Sequence, residues 1–166
     1  MGIEIERRFI VNNNDWKLQA KKGNDFQQGY LNTNSGDWTI RVRIINEESA
    51  FLTLKSIASE FINHEFEYEI PIEDGKSLML LCKYQIFKTR YNLQSANSEW
   101  VVDCFHGNNS PLVLAEIELG SISEEFEIPS WCNKEITGLR AWSNASLAKE
   151  PISDWPISKR LDEKLE

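Results

Sequence analysis

Charged and apolar residues alternate one for one in run after run of this chain, and such alternation permits little besides a sheet with two unlike faces. In "IEIERRFI", Glu4, Glu6 and Arg8 fall on one side of an extended strand, while Ile3, Ile5 and Phe9 fall on the other. The pattern returns with Arg41 and Arg43 in "TIRVRI", Lys55 in "LTLKS", Glu65, Glu67 and Glu69 in "HEFEYEI", and Lys88 and Arg90 in "FKTRY". It continues with Asp103 in "WVVDCF" and with Glu116 and Glu118 in "LAEIEL". Strands are expected at Glu4 to Val11, Phe26 to Asn32, Trp38 to Ile44, Ala50 to Ser56, His64 to Ile70, Tyr84 to Leu93, Glu99 to Phe105 and Leu112 to Leu119. Turn clusters "NTNSGD", "NEES" and "HGNNSP" separate several of them. Helices are few: a capped segment in "NNNDWKLQAKK", one with an acidic first turn before Leu78, Leu80 and Leu81 in "IEDGKSLMLLCK", and a capped turn near Asn144 in "SNASLAKE".

The charges are sorted as well as alternating. A solvated face mixes the two signs, and cross-strand neighbours favour opposites. Here Glu follows Glu and Arg follows Arg on one face, spaced roughly 6 to 7 Å apart at a strand rise of about 3.3 Å per residue. Such files repel themselves unless ligands of opposite sign fill them. Paired carboxylates suit a hard divalent cation, and several Arg and Lys on one face suit phosphate oxygens. If about eight strands close into a barrel with these faces inward, one lumen serves both needs. The fold class expected is therefore α+β but mainly β, an antiparallel eight-stranded closed barrel with helices packed outside. Its outward apolar faces need cover from the later segments, which carry Leu78, Leu80, Leu81, Trp131, Trp142 and Leu147.

Composition narrows the function. With 166 residues and 41% hydrophobic content, residues 1–166 are expected to form one domain, strands roughly within 3–119 and a covering, plugging segment at 120–166. A net charge of −8 argues against nucleic acid or an anionic membrane as partner. No apolar run approaches the roughly 18 residues of a membrane span, and "MGIEIERR" lacks a signal peptide's apolar stretch, so a cytoplasmic protein is expected. Cys82, Cys104 and Cys132 have no metal-ligand spacing and read as reduced packing residues. His64 and His106 have no partner motif and read as strand-end or surface residues. No glycine-rich phosphate loop and no Ser, Cys or His nucleophile arrangement is present.

The motifs together resemble one family. "EIERRF" is similar to the N-terminal ExExK signature of the CYTH superfamily, the triphosphate tunnel metalloenzymes, with Arg8 where lysine is usual. "QGYLNT", "TIRVRI", "FLTLKS", "EFEYEIP", "KTRY", "VDCFHG", "LVLAEIEL" and "NKEIT" follow in the family's order and span nearly the whole chain. The resemblance implies an eight-stranded tunnel, magnesium or manganese as cofactor, and a small-molecule triphosphate as substrate. Tripolyphosphate is expected first, with ATP and thiamine triphosphate as alternatives. It implies metal binding by Glu4, Glu6, Glu116 and Glu118, and phosphate binding by Arg8, Arg41, Arg43, Lys55, Lys88, Arg90 and Lys134. Catalytic roles fall to Glu67, Glu69, Lys88 and Arg90, with Asp103 organising neighbouring bases. Homodimers are frequent in the family, which makes a homodimer an expectation by analogy.

Among the family's activities the compact chain most resembles the inorganic triphosphatase branch, which yields diphosphate and phosphate. A class IV adenylyl cyclase is the rival within the family, and a non-catalytic polyphosphate or nucleotide sensor the rival outside enzymology. Arg8 exchanges an ammonium for a planar fork, Asn63 stands where relatives often have arginine, and "TGLRAW" departs from the usual tail.

Overall fold

The computed structural model describes residues 2–32, 38–59, 62–94, 99–163 and 165. Eight strands follow the alternating runs: β1 Glu4–Val11, β2 Asn24–Asn32, β3 Trp38–Ile45, β4 Ser49–Ile57, β5 Ile62–Ile70, β6 Tyr84–Asn92, β7 Trp100–Phe105 and β8 Val113–Glu118. The expected turn at "NTNSGD" lies, apart from Asn32, outside the described residues. Neighbours pair antiparallel in the order β5-β4-β3-β2-β6-β7-β8-β1. β1 then returns to β5, with Glu4 opposite Asn63 and Ile5 opposite Ile62, and this closes the barrel. At eight strands the interior is about as wide as its own side chains can fill.

A ninth strand, β9 Cys132–Glu135, was not among the expected ones. "CNKE" has no apolar alternation, so the pattern gives no sign of it. It takes the edge of β1 beyond β5, with Phe9 opposite Glu135 and Val11 opposite Cys132. Outside the barrel, Arg7 grips Glu135 with Nε at 2.5 Å and Nη2 at 2.8 Å. β1 therefore pairs with three strands: β8, β5 and β9.

Gly29 shows which face of β2 looks outward. A Cβ at that position would lie 2.6 Å from the Met79 sulfur and 2.7 Å from Cys82 Sγ. Both belong to the region of helix α1, Ile72–Leu81, which follows Pro71 and lies on the outer side of the barrel. Gln28 and Tyr30, one residue to either side, consequently face the lumen. Helix α1 covers Val42, Ile44 and Ala50 with Met79 and Cys82. Positions 75, 79 and 82 recur at helical spacing and make this contact. Leu80 and Leu81, expected to share in it, fall on the opposite side and are 87% and 72% exposed. A second outer cluster joins Phe9, Trp100, Ala115, Ile117 and Trp131 to Trp16, which comes from a 3-10 turn at Asp15–Gln19.

One end of the barrel is filled. The inward file of β1 runs Glu4, Glu6, Arg8, then Ile10, and β6, β7 and β8 make the same change toward the same end, from Lys88 to Ile86, Asp103 to Phe105 and Glu116 to Leu114. Ile10, Tyr30, Ile86, Phe105, Leu112 and Leu114 meet Trp142, Leu147, Ile152 and Trp155 there in one buried cluster. Helix α2, Asn144–Lys149, starts at Ser143, whose hydroxyl accepts from the Ser146 N–H at 3.1 Å. Buried Asn109 holds this plug to the barrel, donating to the Leu147 carbonyl at 3.0 Å and accepting from the Ile152 N–H at 3.1 Å. A last helix, α3 Ile157–Asp162, follows.

The outer packing leaves no room at Gly75, where a Cβ would lie 2.4 Å from that of Ala50. Gly75→Val is expected to reduce unfolding stability by about 3 kcal/mol through overpacking, as read by urea denaturation. Unchanged stability would show that α1 does not bear on the sheet this closely.

Candidate active site

The lumen carries two walls of paired charges. On the first, Asp103 of β7 is fully buried and accepts from Lys88 Nζ at 2.5 Å, Arg90 Nε at 2.7 Å and Arg90 Nη2 at 2.6 Å. Glu116 of β8 takes Arg90 Nη2 on one oxygen at 2.5 Å and Arg8 Nε on the other at 3.0 Å. Arg8 also donates to the Trp142 carbonyl of the plug at 3.0 Å. Burial pushes both carboxyls up, yet Arg90 above all outweighs it and holds Asp103 below, and Glu116 well below, the usual carboxylate range. Lys88 goes the other way: burial, aided by neighbouring Arg90 and opposed by Asp103, brings it down to about 7.

The second wall is looser. Arg41 Nη2 reaches Thr53 Oγ1 at 3.2 Å, Glu67 at 3.3 Å and Glu65 at 3.5 Å, while Arg43 Nη1 lies 3.3 Å from Glu67. Thr53 donates to Glu67 at 2.8 Å. Burial, then the charge of Arg41, lowers Arg43 to about 10. Lys55 bonds Glu4 and lies 3.6 Å from Glu6 and 3.3 Å from Glu65. Burial would lower its pKa, but Glu6, Glu4 and Glu65 together raise it.

Phe26 joins the walls. Its ring lies 5.4 Å from the Arg43 guanidinium, 5.5 Å from that of Arg90 and 5.9 Å from Lys88 Nζ, a cation–π contact with each. Several polar atoms of the lumen have nothing to bind. Among the described residues Arg8 Nη2, Gln28 Oε1 and Nε2, Tyr30 Oη, Arg41 Nε and Arg43 Nε are buried without a hydrogen-bond partner. Native interiors leave few polar atoms in that condition, so their concentration in one lumen marks a place for a ligand or ordered water. Phe26, Gln28 and Tyr30 escaped the sequence reading because they are uncharged. The alternation through Gly29 was the signal that places them inside.

At the open end the carboxylates gather. Glu6 and Glu118 face one another in register across β1 and β8, with Glu4 two residues along. Burial, then the charge of Glu6, pushes Glu4 up to about 7. Facing like charges weaken a sheet, and a divalent cation accepting carboxylate oxygens relieves the repulsion. The donor set fits such an ion in kind, although among the described residues no three acidic, His or Cys side chains converge into a metal cage. Lys55 lies among Glu4, Glu6 and Glu65 in this arrangement. A cavity of about 420 Å3 opens here, lined in part by Glu4, Glu65, Glu67 and Glu118. Glu69 is exposed on β5. Lys134 is not brought into the lumen: it is about half exposed and bonds Glu163, beyond α3. Its strand hydrogen-bonds along the edge of β1, which keeps Lys134 apart from the inward files.

A barrel lined with buried cations and interleaved carboxylates, open at one end and closed at the other, belongs to the class of tunnel proteins for small polyanions. The CYTH domain family matches residues 2–146, and the chain belongs to that family. It is 37% identical over 157 residues to the inorganic triphosphatase of Acetivibrio thermocellus, covering 93% of this chain and 99% of that one. It is 32% identical over 150 residues to the inorganic triphosphatase of Nitrosomonas europaea, covering 87% and 96%. The crystal structure of the inorganic triphosphatase NE1496 superposes with a TM-score of 0.62 at 30% identity, over 87% of this chain and 93% of that one.

Asp103→Ala leaves Lys88 and Arg90 without their buried anion and is expected to cost about 3 to 5 kcal/mol of stability at pH 7, read by urea denaturation. Because the folded pKa lies below the ordinary 3.8, Asp103 stabilises fully above that value and loses its effect as pH falls through the folded pKa. The gap between wild type and variant should therefore narrow in acid. A gap that stays constant down to strongly acidic pH would refute the charge pairing as its source.

Proposed function

We propose that this protein is a metal-dependent inorganic triphosphatase, hydrolysing tripolyphosphate to diphosphate and phosphate inside the barrel. The observation that carries the reading is the set of buried guanidinium nitrogens without partners, Arg8 Nη2, Arg41 Nε and Arg43 Nε. A polyphosphate chain offers acceptor oxygens to all of them at once. The two curated relatives, both inorganic triphosphatases and similar to this chain over most of its length, support the choice of substrate.

Arg41, Arg43 and Lys55 grip the chain on the second wall, where the bonds of Arg41 and Arg43 to carboxylates are long and exchangeable. Arg8, Lys88 and Arg90 line the other side, fixed by Asp103 and Glu116, and neutralise charge that develops on the transferred phosphoryl oxygens. Positioning and neutralisation supply most of what phosphoryl transfer requires. Glu67, held ionised by Arg43 and Thr53 against the effect of burial, keeps the two guanidinium groups aimed. Glu69, at the rim, guides water. Glu4, Glu6, Glu116 and Glu118 would hold magnesium or manganese, which would supply positive charge against that of the phosphate chain.

The test is product analysis with tripolyphosphate, ATP and thiamine triphosphate, each with magnesium, with manganese and with chelator. Phosphate release from tripolyphosphate should exceed that from the organic triphosphates and stop with chelator. Glu6→Gln should lower it roughly 100-fold. Cyclic AMP from ATP, or release that ignores chelator, would overturn the assignment.

A further inference from the structure

We infer that Gln28 contacts the reacting groups, its Nε2 donating to an oxygen of the terminal phosphoryl group and its Oε1 accepting a hydrogen bond from the attacking water. The inference rests on the triphosphatase reading and adds to it a residue that carries no charge. Gln28 is fully buried, and neither of its amide atoms has a hydrogen-bond partner. It faces the lumen, since Gly29 beside it lies against α1. Its strand neighbours on either side are Arg43 and Ile86.

Depth decides which phosphate arrives there. Ile86 and Tyr30 belong to the buried cluster that closes the barrel. A linear chain entering from the carboxylate end therefore brings its terminal group to the level of Gln28, where Arg43 Nε is also without a partner. Chemistry decides how the amide is used. An ionised phosphate only accepts hydrogen bonds, so it satisfies Nε2 and leaves Oε1 unmet. Water can donate to Oε1, so one amide can bind the phosphate oxygen and the nucleophile together. In the reaction the water oxygen bonds the terminal phosphorus and the bridging P–O bond breaks. Its electron pair leaves on diphosphate, and the water protons pass to phosphate oxygens and solvent.

The experiment compares wild type with Gln28→Leu in kcat, KM and melting temperature, using tripolyphosphate and magnesium. An interaction made chiefly in the transition state predicts kcat down about 100-fold with KM within about 3-fold. Leucine of similar volume also removes two unpaired polar atoms, so the melting temperature should hold or rise. Gln28→Met, unbranched and of similar length, is the second variant and should show the same loss of kcat. Wild-type kcat in either folded variant overturns the inference, and so does a kcat loss matched by a fall in melting temperature. A wild-type protein that releases no phosphate overturns the triphosphatase reading and this inference with it. An active wild type with fully active variants overturns the inference alone.

Discussion

The lumen depends on the bonds that Arg90 makes with Asp103 and Glu116. One guanidinium holds two buried carboxylates on different strands, and each carboxylate holds a further cation, Lys88 or Arg8. A lone buried charge costs several kcal/mol, so none of these groups could remain ionised in the barrel without the rest. The distances of 2.5 to 2.7 Å around Asp103 contrast with 3.3 to 3.5 Å from Arg41 and Arg43 to Glu65 and Glu67. One wall is consequently a fixed frame, while on the other Arg41 and Arg43 hold their carboxylates at greater length.

That frame stands because the outside of the barrel is covered without straining it. Glycines at 29 and 75 let α1 lie directly on β2 and β4, while Trp16, Trp100 and Trp131 fill the opposite flank. The inside is closed by other means. The C-terminal segment places Trp142, Leu147, Ile152 and Trp155 over the apolar ends of the inward files, and Arg8 bonds the Trp142 carbonyl from the charged side. The charged wall and the plug are thus physically joined at Arg8.

Much of this was legible in the sequence because period-two alternation reports directly on which face a side chain occupies. All eight barrel strands followed from it, with ends within two residues of those observed, and so did the inward placing of Glu4, Arg41, Lys88 and Glu116. Helical spacing located α1 but misjudged Leu80 and Leu81, since a run of adjacent leucines does not say which of them turns to the sheet. β9 was invisible because four mixed residues carry no period, and for the same reason Lys134 could not be placed from "NKEIT". The closed end was available but unread. Arg8 to Ile10, Lys88 back to Ile86, Asp103 to Phe105 and Glu116 back to Leu114 each pass from charge to hydrocarbon in one step along an inward file. Gln28 needed the structure, because an amide announces its importance only when its surroundings leave it unpaired.

The plug gives the barrel a direction. A passage open at both ends could take hold of a phosphate polymer anywhere along its length, whereas a blind one engages only a terminus and leaves the remainder outside. Such an enzyme trims from the tip. Longer chains would lose one unit at a time, the two products would have to depart by the door through which the substrate came, and a ring such as cyclic trimetaphosphate, having no tip, would be refused.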